Sequence, residues 1–118
     1  MPTIIVLDND EDTRNFITDL LTKQGYQVYN PSRASDAIDQ CHLIQPDLLV
    51  TEWKLQDEYD GFEVGDAFRF AKSDVKTIMM SDVESIADEP GHEYVFRYFQ
   101  KPIPAEEFLQ VVEAALVR

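Results

Sequence analysis

The chain alternates short runs that are apolar on every residue with longer stretches in which apolar residues recur every third or fourth position. Ile4 to Leu7 is the first run, closed by Asp8, Asn9 and Asp10. Leu48 to Val50 is another, preceded by Pro46 and followed by Thr51, Glu52, Trp53 and Lys54. A short run without alternation predicts a strand covered on both faces. Val75 to Met80 supplies a further strand and ends at Ser81 and Asp82. Gln27 to Tyr29, stopped by Pro31, and Val95 to Phe99, ending at Lys101 and Pro102, supply two shorter strands.

The intervening stretches predict helices. Phe16, Ile17, Leu20 and Leu21 form one apolar stripe, with Asp10 as N-cap, Glu11 and Asp12 in the first turn and Gly25 closing the end. Ser35 is placed to cap a second helix, on which Ala34, Ala37, Ile38 and Cys41 share a face. The loop from Leu55 to Gly61 leads to a third, carrying Phe62, Gly65, Phe68 and Arg69, with Phe62, Phe68 and Phe70 read as core packing. From Asp82 to Glu93 the chain offers Pro90, Gly91 and five acids, with Val83, Ile86 and Ala87 to bury, which predicts a short or frayed fourth helix. Phe108, Leu109, Val112, Ala115 and Leu116 mark the last helix, with Pro104 tolerated in its first turn. Strands alternating with helices at this pitch predict an α/β fold, a five-stranded parallel sheet with helices on both faces.

Composition narrows the function classes. At 118 residues the chain is expected to be one domain, 1–118, without an output domain, and large enough to bury its own core. Its 44% hydrophobic and 28% charged residues suit a folded soluble protein. With 23 acids against 10 bases, a formal charge of −13, it is a poor match for nucleic-acid phosphates or an anionic membrane surface. Cys41 has no second cysteine to pair with and reads as a small buried hydrophobe. The N-terminal apolar run is too short for a leader or a membrane span, so a cytoplasmic location is expected. His42 and His92 lack neighbours at metal-ligand spacing and read as surface residues.

In an open parallel sheet, ligands gather at the carboxyl ends of the strands. Four such ends carry chemistry here: Asp8 and Asn9, Glu52, Ser81, and Lys101 followed by Pro102. With the Asp60–Gly61 turn, this ordered set resembles a bacterial response-regulator receiver domain of two-component phosphorelay signalling, and the resemblance covers essentially the whole chain. It implies the flavodoxin-like (βα)5 receiver fold with strand order 2-1-3-4-5. It also implies that Asp8 and Asn9 fall on the acidic pair that holds Mg²⁺, together with Glu52, and that Glu52 falls on the phosphoacceptor aspartate. Ser81 falls on the hydroxyl that turns to the phosphate and Lys101 on the lysine that pairs with it. Tyr98 falls on the aromatic switch position, and Pro102 on the proline behind the lysine.

The chain departs from that pattern in ways with physical consequences. Glu52 is one methylene longer than aspartate, and in-line transfer needs reacting atoms placed to about an ångström. Asn9 removes a charge from the metal pair, so any Mg²⁺ binding is expected to be weak. Gln56 stands where many receivers have a proline. The expected function is a stand-alone, atypical receiver that is not phosphorylated in the usual way and is not an enzyme. It would act through protein–protein contact at a face formed by the fourth helix, fifth strand and fifth helix. The expected partner is a sensor histidine kinase or other signalling protein, with the chain a monomer or weak dimer. In this reading Glu52 is a built-in anion paired with Lys101, with Lys54 a competing partner; the plainer alternative is a solvated, drifted residue. The plainer readings of the others are a helix-capping acidic turn for Asp8 and Asn9, a cap for the following helix for Ser81, and a partly buried core aromatic for Tyr98. The rivals are an active Mg²⁺-dependent phosphoreceiver and a small flavodoxin-like cofactor binder. Four glycines and no glycine-rich loop after the first strand weaken the latter.

Overall fold

The computed structural model describes residues 1–117. Five strands form one sheet: β1 (Thr3–Leu7), β2 (Gln27–Tyr29), β3 (Leu48–Glu52), β4 (Lys76–Ser81) and β5 (Arg97–Gln100). Four helices connect or follow them: α1 (Glu11–Lys23), α2 (Ala34–Ile44), α3 (Gly61–Ala71) and α4 (Ala105–Ala115). The sheet is wholly parallel with order β2-β1-β3-β4-β5, the flavodoxin-like arrangement expected of this chain.

The unbroken apolar runs are explained by packing on both sides. Ile4, Val6, Leu48, Val50, Ile78 and Met80 point to one face, where they meet Ile17 and Leu21 of α1 and Phe108 and Val112 of α4. Ile5, Leu7 and Leu49 point to the other, against Ala34, Ala37 and Cys41 of α2 and Val64 and Phe68 of α3. Every residue of β3 is buried, as a central strand requires. Asp10 caps α1 as expected, accepting from the Thr13 amide, and Gly25 takes φ +90 just past the end of that helix.

Three local expectations are corrected. No α-helix spans 82–94: the segment is a string of bends and turns ending in a three-residue 3-10 turn, His92–Tyr94. Gly91 adopts φ +91 there, and Ile86 is the one large apolar side chain of the segment that is buried, so nothing holds a longer helix against the sheet. Ser35 does not cap α2. The N-cap is Arg33, which contributes no side-chain bond, and the first amide, Ala34 N–H, is held instead by Asp57 Oδ2 at 2.8 Å from another loop. Phe70 is not core: it is 92% exposed, because two residues beyond the buried Phe68 is the opposite side of a helix. Phe62 does pack inward, edge-on to Trp53 with ring centroids 5.7 Å apart.

α3 approaches the end of β3 unusually closely. A Cβ on Gly61 would lie 2.5 Å from the Glu52 carbonyl oxygen and 3.1 Å from Trp53 Cα. The Gly61 amide donates to the Trp53 carbonyl at 2.8 Å. Beside it, Asp60 and Glu63 form a reciprocal capping box that starts the helix.

Candidate functional site

Alternation along the strands brings the charged residues together. Asp8 continues the row of Ile4 and Val6, and Glu52 that of Leu48 and Val50, both on the face covered by α1 and α4. The register pairs Val6 with Val50 and Leu7 with Thr51, so one step further Asp8 and Glu52 are neighbours at the carboxyl edge. Lys101 arrives one residue beyond β5, its amide bonded to the Ser81 carbonyl at 2.8 Å. The Lys101–Pro102 peptide is cis.

Lys101 joins the two acids. Its Nζ donates to Asp8 Oδ2 at 2.9 Å and lies 3.2 Å from Glu52 Oε2. The approach to Glu52 lacks hydrogen-bond alignment, so Oε2 has an ionic neighbour but no hydrogen bond. Asp8 is 2% and Glu52 8% exposed, which makes their charges costly without the ammonium. Burial pushes the Glu52 carboxyl up to about 7, with Lys101 opposing that rise and Asp8 adding to it. Burial alone would lower Lys101. The hydrogen bond and charge of Asp8, with the charge of Glu52, outweigh it and hold the ammonium above its ordinary pKa.

These residues floor a cleft of about 530 Å³ that Asn9, Asp10, Thr13, Lys54, Gln56, Asp82 and Pro102 also line. Lys54 does not compete for Glu52, correcting that expectation: its Nζ sits 4.0 Å from the centroid of the Trp53 ring, a cation–π contact. Ser81 is buried and is not among the residues that line the cleft; it lies within hydrogen-bonding reach of Tyr98, and with no α-helix between β4 and β5 it caps none. Tyr98 is half-buried, and its hydroxyl donates to the Val83 carbonyl, while Gln100 Nε2 donates to the Asp82 carbonyl at 3.1 Å. Two β5 side chains thus tether the start of the irregular segment. Burial raises the Tyr98 phenol, against a hydrogen bond with Ser81. His42 and His92 are exposed, and Cys41 is buried.

Asn9 lies at the rim, but its side chain is engaged elsewhere. Its Oδ1 accepts from the Gln56 amide and its Nδ2 donates to the Ser32 carbonyl at 3.2 Å. Both Asp8 oxygens are also engaged, Oδ1 by the Asp10 amide at 2.9 Å and Oδ2 by Lys101. Mg²⁺ demands several oxygens in near-octahedral geometry, with waters completing the shell. Among the described residues no group of three or more His, Cys, Asp or Glu is placed to hold a metal. The donor set as it stands therefore does not fit Mg²⁺: two of its three members are occupied, and the Lys101 ammonium already sits between the two carboxylates.

Residues 4–113 match the response regulator receiver domain family. The chain belongs to that family. It is 29% identical over 116 residues to the DNA-binding transcriptional regulator NtrC of Azospirillum brasilense, covering 97% of this chain but 24% of that protein. Sporulation initiation phosphotransferase F of Bacillus subtilis is 23% identical, with 96% of this chain and 92% of that one covered. The response regulator TrrA of Thermotoga maritima, solved in complex with Mg²⁺–BeF, superposes with a TM-score of 0.88 at 21% identity, covering 98% and 100% of the two chains. Receivers are signalling modules of two-component systems that typically bind Mg²⁺ and interact with histidine kinases or phosphotransferases. No described helix of this receiver is long and apolar enough to cross a membrane.

The raised Glu52 pKa has a consequence for stability. The folded receiver keeps a proton on Glu52 up to about pH 7, whereas the unfolded chain releases it near 4.5. The folded state therefore binds more protons across that window, and its stability falls as pH rises through it. Glu52→Gln copies the protonated form. In EDTA it is expected to match the natural receiver near pH 4, below the unfolded value, and to exceed it by about 1–2 kcal/mol at pH 8 because water in the cleft screens the burial. Urea unfolding at the two pH values measures this, and equal curves at pH 8 would show that the carboxylate is not destabilised by burial.

Proposed function

We propose that this receiver is atypical, with Glu52, in the ionised form that predominates above about pH 7, serving as a built-in anion beside Lys101 rather than as a phosphoacceptor, and that it signals through protein–protein contact. The observation that carries this reading is the 3.2 Å approach of Lys101 Nζ to Glu52 Oε2 above a shared bond to Asp8. The longer side chain extends its anionic oxygen beyond the strand end, to where the lysine can pair with it without an added group. Asp8, Glu52 and Lys101 form the charged core of this cluster, with Ser81 and Tyr98 linking it to the 82–94 segment. Asn9 acts at its rim. Pro102 lines both this cleft and a smaller cavity beside Phe16.

The contacting face comprises the irregular segment 82–96, β5 and α4, in place of a face built around a fourth helix between β4 and β5. A sensor histidine kinase or another signalling protein is the partner. The surplus of acid argues against nucleic acid and anionic membranes as partners. Any Mg²⁺ held by Asp8 and Glu52 is bound weakly, because Lys101 and Asn9 must first give up the contacts described above.

Intact mass after incubation with acetyl phosphate and Mg²⁺ tests the reading. The natural receiver is expected to gain no phosphoryl group. Glu52→Asp, run beside it, reports whether the rest of the pocket remains competent. A phosphoryl adduct on the natural chain that disappears in Glu52→Gln would establish a working phosphoreceiver and overturn the proposal.

A further inference from the structure

Three loops meet above the carboxyl edge of the sheet, and one side chain ties them. Asn9, between β1 and α1, accepts from the Gln56 amide in the β3–α3 loop and donates to the Ser32 carbonyl between β2 and α2. The next residue after Gln56 continues the tie. Asp57 Oδ2 accepts from Ala34 N–H at 2.8 Å, and Asp57 Oδ1 from Tyr59 N–H at 3.1 Å. The segment following Glu52 is thereby clamped on one side by Asn9 and on the other by the start of α2, whose own N-cap residue offers no side-chain bond.

The task at position 9 requires an acceptor and a donor on one short, forked side chain. A carboxamide provides both, whereas a carboxylate provides acceptors alone and would face the Ser32 carbonyl with like polarity. We propose that Asn9 is a positioning residue that ties the three loops together in place of a divalent cation, so that the cleft around Glu52 and Lys101 is shaped without one. A metal bound between acids of the first and third strand ends would draw the same two loops together. Here a neutral amide does so with hydrogen bonds, and Lys101 supplies the positive charge between the acids. The inference goes beyond the role proposed for Glu52 and does not depend on it, since the tie holds whatever that carboxylate does.

Amide exchange of Gln56 and Ala34, followed by NMR in EDTA and in millimolar MgCl₂, tests it. In the natural receiver both amides are expected to exchange at the same rate in the two conditions. In Asn9→Ala, Gln56 is expected to exchange about five- to tenfold faster, the scale of one net hydrogen bond. Amides of β3 report any global loss and separate it from this local one. Asn9→Asp keeps the acceptor for Gln56, loses the donor and adds an acid beside Asp8, so its Gln56 protection is expected to become Mg²⁺-dependent. A purely structural staple would not produce that Mg²⁺ response. Unchanged Gln56 exchange in Asn9→Ala, Mg²⁺-enhanced protection in the natural chain, or an Asn9→Asp variant indifferent to Mg²⁺ would each overturn the proposal.

Discussion

Replacing Lys101 by methionine is expected to destabilise the receiver by about 3 kcal/mol at pH 8, because breaking a buried ion pair leaves its partners uncompensated. Two carboxylates would then share the floor of the cleft, Asp8 at 2% and Glu52 at 8% exposure, with their common cation gone. Methionine retains most of the aliphatic stem, so the loss reports charge more than packing. Without the ammonium, which opposes the rise caused by burial, the Glu52 carboxyl is raised further in the folded state. The folded variant then holds that proton to higher pH, so its stability relative to the natural chain improves as pH falls and the deficit shrinks towards about pH 5. Adding Glu52→Gln to the variant removes one of the stranded charges and is expected to recover part of the loss. Chemical denaturation of the single and double variants across this range measures both effects. A deficit that stays constant with pH would mean that the lysine contributes packing and that the charge cluster is not what holds the site together.

Gly61→Ala is expected to cost about 2–3 kcal/mol, at the upper end for overpacking a tight contact, because the obstacle is backbone rather than a movable side chain. The added methyl would meet the Glu52 carbonyl at 2.5 Å and Trp53 Cα at 3.1 Å, so either α3 or the end of β3 must move. Either movement displaces Glu52 relative to Lys101 or loosens the bond from Gly61 N–H to the Trp53 carbonyl. The sole tryptophan stands next to Glu52 in the chain and reports the shift: its emission is expected to change in the folded variant. Gly25→Ala is the control. That position has φ +90 but no atom within 4 Å of the new Cβ, so its cost is the backbone strain alone, about 1 kcal/mol, with no change in Trp53 emission. Equal losses at the two glycines would show that the β3–α3 contact is not tight.

The strand runs were legible because burial on two faces leaves a local trace: Leu48, Leu49 and Val50 are apolar in succession since each has a helix above or below it. The spacing of Ile17 and Leu21 marked α1 for the same reason, as a stripe every three or four residues along one element. The parallel α/β class followed from those traces. The four strand ends Asp8, Glu52, Ser81 and Lys101 could be ordered on them, and their resemblance to a receiver supplied the strand order. Contacts between distant segments left no comparable trace. Lys101 reaches Asp8 across 93 positions and Asn9 reaches Gln56 across 47, and no periodicity records which atoms will face each other. Hence Asn9 read as half of an acidic pair, although the fold turns its amide to two loops. Lys54 read as a rival for Lys101, although an adjacent aromatic ring holds it. The crossover from β4 to β5 read as a helix because five acids and three apolar residues do not forbid one. Chain folding decides it through Gly91, whose positive φ turns the backbone, and through the lack of a second apolar row to hold a helix on the sheet. Local propensity and pattern specified the elements, while the site's geometry and its electrostatics arose where elements far apart in the chain were packed into one edge.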